Sequence, residues 1–283
     1  MNETNHSSAP PRHRERSTAA TRSPTPSTLS MMLNKVPEVT IYFWIIKILA
    51  TTVGETAADW LGTHLNLSLT NVTLVMSSLL FVALRFQFRS RRYVPAIYWV
   101  SVVLISVVGT LVTDNLVEHF SVTLKETTAI FGMALLVTFG AWFASERTLS
   151  IHSIRTTRRE AFYWLAILFT FALGTAAGDL VAESLNLGYW RSAILFAALI
   201  GLIAVACFRW RLNAVLAFWV AYILTRPLGA SLGDFLSQPA DVGGRNLGTV
   251  GTSAIFLITI MCVVTYLTVT KKDQAPIAAN AGP

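Results

Sequence analysis

One pattern occurs four times in this chain. An aromatic residue is followed by tryptophan, a glycine stands ten positions after the tryptophan, and an aspartate stands fifteen after it. The dipeptides are Phe43–Trp44, Tyr98–Trp99, Tyr163–Trp164 and Phe218–Trp219. The glycines are Gly54, Gly109, Gly174 and Gly229, and the aspartates are Asp59, Asp114, Asp179 and Asp234. Four of the six aspartates in the protein stand in this frame, which chance does not explain. The tryptophans are 55, 65 and 55 residues apart, and "GETAADWLGTHLNL" in the first copy matches "GTAAGDLVAESLNLG" in the third. Self-similarity at a fixed period means that the fold repeats one supersecondary unit.

Each copy holds two long apolar runs. The eight runs fall near 38–58, 68–86, 94–113, 127–146, 160–178, 191–208, 212–230 and 250–270. Each is close to the ~20 residues that a helix needs to cross the hydrocarbon core. Only 13% of the residues are charged, against about a quarter in soluble domains. A membrane β-barrel would show shorter, alternating segments. The expected fold is therefore all-α: a polytopic membrane protein of eight transmembrane helices arranged as four tandem two-helix repeats, about 37–92, 93–157, 158–211 and 212–270. Two crossings per unit bring every unit into the membrane with the same orientation, so parallel repeats would surround an axis near the membrane normal.

Residues 1–36 are rich in Ser, Thr, Pro and Arg with no apolar face, and are expected to be a disordered tail. They lack the apolar core of a secretory signal peptide. Residues 271–283 are read as a second tail. Cys207 and Cys262 lie inside apolar runs, where they read as small buried hydrophobes rather than a disulfide. Most of the 22 Lys and Arg cluster in the N-terminal tail, 85–92, 147–159, 209–211 and 271–272. The positive-inside rule puts those places, and both termini, in the cytoplasm. Basic residues confined to membrane edges leave no surface for a nucleic acid.

On these four units the chain resembles a family of bacterial membrane proteins built from four tandem two-helix repeats of unknown function, each with a signature tryptophan. The resemblance covers about residues 37–270. It implies eight transmembrane helices and the bacterial inner (cytoplasmic) membrane. It implies no activity, so function has to be argued from side chains.

On a helix the tryptophan-to-glycine step spans about 15 Å and the tryptophan-to-aspartate step about 22 Å. With each Trp at the cytoplasmic interface, each Gly falls near the midplane and each Asp in the outer half. The glycines have two readings: close helix packing, or a helix break that frees carbonyls for an ion, with Pro227 favouring a kink beside Gly229. The aspartates come with further acids. Glu55–Asp59, Asp114–Glu118 and Asp179–Glu183 are i, i+4 pairs on one helix face, and Asp234 has Gln238. One carboxylate at the helix centre costs roughly 2.5–3.5 kcal/mol on insertion scales, so four cost on the order of 10 kcal/mol unless a cation, proton or basic partner offsets them. The plain alternative is that each Asp caps a helix end in water.

His64 and His119 both stand twenty residues after their tryptophans. With Asp59, Asp114, Asp179 and Asp234 they could form a metal-ligating set, or they could be loop residues facing solvent. Lys47 and Arg226 are the candidate charge-compensating groups. Lys47 can also snorkel to the interface, while Arg226 is deeper and could pair with Glu55 or Asp234, standing in for a bound cation.

The function expected from these residues is transport of a cation, a divalent metal ion such as manganese, with proton coupling at the same carboxylates. The ion would be cargo; no cofactor is expected. A pseudo-tetrameric cation channel is the alternative, and a non-transporting scaffold or sensor is a third reading. No nucleophile–base pair, phosphate-binding glycine loop or HExxH is present, so an enzyme is not expected.

Overall fold

The computed structural model describes residues 34–65 and 67–273, apart from the side chain of Glu183. Most of the two expected tails therefore lies outside the described residues. Among those described, eight helices are long and apolar enough to cross a membrane, and no strand is present. They are α1 (Ile41–His64), α2 (Leu69–Arg89), α3 (Pro95–Asp114), α4 (Leu124–Glu146), α5 (Thr157–Asp179), α6 (Tyr189–Trp210), α7 (Ala214–Ser237) and α8 (Thr249–Thr270). Helices α3 and α5 continue through one wide π turn each, Asn115–His119 and Leu180–Ser184.

Local chemistry sets the helix ends. The Ser68 hydroxyl accepts the Asn71 amide at the start of α2, and Thr123 with Glu126 forms a reciprocal capping box at the start of α4. Helices α4, α6 and α8 finish on left-handed Arg147, Arg211 and Lys271, which place basic side chains at the negative end of each helix dipole.

The odd-numbered helices are mostly buried and the even-numbered ones mostly exposed. Helix α1 packs on α3, α3 on α5, α5 on α7, and α7 on α1, closing an inner ring of four. Each outer helix leans chiefly on the inner helix of the next repeat: α2 on α3, α4 on α5, α6 on α7, and α8 back on α1. Outward-facing apolar residues such as Phe81, Phe208 and Val269 are exposed, as a hydrocarbon surround requires. Connectivity puts both chain ends, with the 90–94, 147–156 and 211–213 links, at one end of the ring, here the terminal end. The other links lie at the far end.

The repeat frame becomes three tiers of packing. At the terminal end the aromatic dipeptides form a closed wheel, each first ring lying against the next repeat's tryptophan. Phe43 meets Trp99 at 5.7 Å, Tyr98 meets Trp164 at 5.5 Å, Tyr163 meets Trp219 at 6.2 Å and Phe218 meets Trp44 at 5.7 Å. Trp99, Trp164 and Trp219 are core residues, at most 3% exposed, rather than the interface anchors expected.

The glycines form the middle tier. A Cβ on Gly54, Gly109, Gly174 or Gly229 would lie no more than 2.7 Å from the Cβ of Ser106, Phe171, Arg226 or Thr51 respectively. Those four partners share one position, seven after the tryptophan. Each glycine is thus where an inner helix touches the next. All four helices run through unbroken, α7 across Pro227 as well.

The two ends of the described chain are pinned together, and packing starts before residue 37. Asn34, Lys35 and Val36 are buried. The Lys35 ammonium pairs with Glu160 at 2.6 Å, the Glu38 amide donates to the Asp273 carbonyl at 2.9 Å, and the Tyr93 hydroxyl donates to the Asp273 carboxylate at 2.7 Å. Burial pushes the Asp273 carboxyl above its ordinary value of 3.8, partly offset by the bond from Tyr93. A carboxyl raised on folding contributes stability in acid that is lost as pH rises through the folded value. Hydrogen exchange at the Glu38 amide, corrected for intrinsic chemistry, should therefore accelerate as pH climbs above 3.8. Asp273→Asn should flatten that dependence.

Candidate functional site

The third tier is acidic. Fifteen residues after each tryptophan, Asp59, Asp114, Asp179 and Asp234 come together around a cavity of ≈ 180 Å³ near the far end. Glu55, Glu118, Val117, Leu124, Tyr189 and Gln238 complete its lining. The four aspartates are half-buried, Glu55 is buried and Glu118 is exposed. Glu55, Asp179 and Asp234 each offer a carboxylate oxygen within 4.8 Å of the others. The helices sharpen the field: all four inner helices end near the cup, so their negative dipole ends add to the carboxylates.

Beneath the cup sits a buried cation. Eleven residues after the tryptophan, the repeats carry Glu55, Thr110, Thr175 and Ala230. The fully buried Arg226 binds the first three. Its Nη2 donates to Glu55 Oε2 at 2.7 Å and to Thr175 Oγ1 at 2.7 Å, and also contacts Thr110 Oγ1. Nη1 donates to the Thr51 carbonyl at 3.4 Å. Arg226 is itself the fourth repeat's occupant of the position that packs on glycine, so the crossing at Gly174 aims its guanidinium at the ring's centre. Of the two partners the sequence left open, Glu55 is the one the ion pair joins to Arg226.

Lys47 does not snorkel. It is fully buried, with Nζ 4.0 Å from the Phe171 ring centre, 4.3 Å from that of Tyr222 and 3.3 Å from Thr51 Oγ1. Its Nζ rests against aromatic faces in the ring interior. From the cup toward the terminal end, the ring's interior thus carries Arg226, then Lys47 with Phe171 and Tyr222, then the aromatic wheel.

The histidines are elsewhere. His64 is exposed and stacks on Trp60 at 5.3 Å, with Nδ1 2.7 Å from the Thr63 hydroxyl. His119 is exposed against Phe120 at 4.9 Å. Neither lines the cup, because a step of twenty residues from the tryptophan reaches the helix end and turns outward. The side chain of Glu183 lies outside the described residues. Two residues went unread in the sequence, Thr110 and Thr175, although the frame that finds the aspartates also aligns them with Glu55. Tyr189 had no such signal; it reaches the cup from the start of an outer helix.

Among the described residues, the cup's donors are therefore carboxylates, one amide and one phenol, and hard oxygen donors suit Mg, Ca and Mn. No curated protein and no solved structure matches the chain. A family model described as a repeat of unknown function (DUF347) matches residues 42–93, 97–148, 162–212 and 217–273, one match for each tryptophan frame. The chain therefore belongs to the family of membrane proteins defined by this four-fold repeat.

Proposed function

We propose that the protein is a carrier for a hard divalent cation, manganese being the representative guest, and that the cup is its binding site. The observation that carries the reading is the approach of Glu55, Asp179 and Asp234 to within 4.8 Å, each on a different inner helix. Carboxylates so close repel one another, and a cation or proton shared between them offsets that repulsion. The same groups can hold a metal or protons, which offers a route to coupling the two fluxes. A carrier fits better than a channel. The interior beneath the cup holds the buried Arg226 guanidinium and, beyond it, a closed aromatic wheel, which oppose free passage of a cation. Arg89, Arg147, Arg211 and Lys271 at the terminal end support placing that end in the cytoplasm of a bacterial inner membrane.

The test is manganese entry into liposomes containing the purified protein. Asp179→Asn combined with Asp234→Asn should reduce initial uptake to the protein-free background, with the variant still monodisperse in detergent. Uptake equal to the unaltered protein's would remove the cup from the transport path. Steady single-channel currents in planar bilayers would favour the channel instead.

A further inference from the structure

Glu55 is claimed twice. One carboxylate oxygen carries the ion pair with Arg226 at 2.7 Å, and the group also lies within ligand distance of Asp179 and Asp234. We propose that Arg226 is the cup's built-in counter-cation, which holds Glu55 while the cup is empty and competes with the guest for it. The inference rests on the cup being a cation site and assigns Arg226 a part in it.

Three observations support competition over simple bracing. First, the guanidinium is single-pronged on Glu55, with Nη2 shared among Glu55, Thr110 and Thr175. A two-pronged pair would tie both groups more firmly. Second, Nε has no hydrogen-bond partner among the described residues, so the side chain has a donor to spare for another arrangement. Third, the ring crossing uses only the stem: the closest neighbours of a Cβ on Gly174 are Cβ and Cγ of Arg226. Packing would be equally served by an uncharged side chain with the same stem. The other repeats fill that position with Thr51, Ser106 and Phe171, so the architecture does not call for a charge there.

The consequence is an exchange. A guest entering from the far end takes Glu55, and Arg226 retains Thr110 and Thr175. When Arg226 reclaims Glu55, the guest loses a ligand and leaves. Arg226 is thus a positioning residue that sets affinity and release without touching the ion.

The full chain in lipid nanodiscs, titrated with manganese chloride, tests this. Arg226→Met keeps the stem and removes the charge, and should bind Mn²⁺ at least about tenfold more tightly than the unaltered protein, given the coupling typical of close charge pairs. Arg226→Lys, a point charge with a looser hold on the threonines, should fall between the two. Glu55→Gln combined with Arg226→Met should lose the gain. Liposome uptake by Arg226→Met should fall even as its affinity rises, which a bracing role does not produce. Mn²⁺ affinities equal to the unaltered protein's in every folded variant would overturn the assignment and leave the cup standing. Should Arg226→Met not fold, Arg226→Lys alone decides in the same way. Absence of Mn²⁺ binding by the unaltered protein would overturn the cup, and this inference with it.

Discussion

Leucine at Gly109 should leave no folded ring. A Cβ there would sit 2.7 Å from Phe171 Cβ and 3.2 Å from the Ala172 amide nitrogen. Neither atom can turn aside, because a Cβ and a backbone nitrogen move only with their helix. Even alanine forces α3 and α5 apart, and overpacking of this kind typically costs about 1–3 kcal/mol. Leucine adds three more carbons at the same crossing. The inner helices form a closed ring, so widening one seam strains the other three. The outer helices supply the control. At Gly140 in α4 and Gly201 in α6, nothing lies within 4 Å of where a Cβ would stand, so alanine there should be neutral or stabilising by up to about 1 kcal/mol through helix propensity. Thermal denaturation followed by size-exclusion in detergent separates the two classes. Equal stability of Gly109→Leu and Gly140→Ala would refute close packing at the repeat glycine.

The second large effect is an asymmetry across one ion pair. Removing one partner of a buried pair typically costs about 3–5 kcal/mol, because the other charge is stranded. Glu55→Met strands Arg226 among Phe171, Thr110 and Thr175. A guanidinium cannot shed its charge in a protein. Arg226→Met strands a carboxylate, and a carboxylate can be neutralised by a proton while Thr110 still donates to it at 3.3 Å. Glu55→Met should therefore be the more damaging change, near the top of that range. The double variant should recover most of the loss, since two apolar side chains leave no charge to solvate. A thermal-stability cycle without divalent cations measures the coupling. Additive losses would mean that the pair is not a unit.

Much of this molecule is legible in its sequence. Hydrocarbon thickness imposes runs of about twenty apolar residues, so the eight helices are plain. One frame aligns tryptophan, glycine and aspartate, so the acidic tier is plain too. The closure pattern is not. The outer helices are apolar on nearly every face because lipid surrounds them, and such a surface carries no mark of which inner helix it covers. Lys47 is left with two readings for a related reason: spacing gives its depth along the axis but not the rotation of α1, and rotation decides between lipid headgroups and the ring interior. His64 and His119 share a position in the repeat, yet that position lies at the helix end, where register no longer fixes direction. Glu55 and Arg226 could be named as candidates, but their threonine partners emerge only when unlike residues at one register are compared.

The return of α8 to α1 bears on biosynthesis. The first inner helix leaves the ribosome carrying Lys47, Glu55 and Asp59, and it has the lowest mean hydropathy of the eight, 1.2. Its own outer helix barely covers it; the covering helix is the last of the eight described to be made. Until residues 249–270 have been made, α1 lacks part of its wall. Nascent chains of one, two or three repeats are thus not smaller versions of the protein but incomplete ones, because residues 249–270 close the wall around α1.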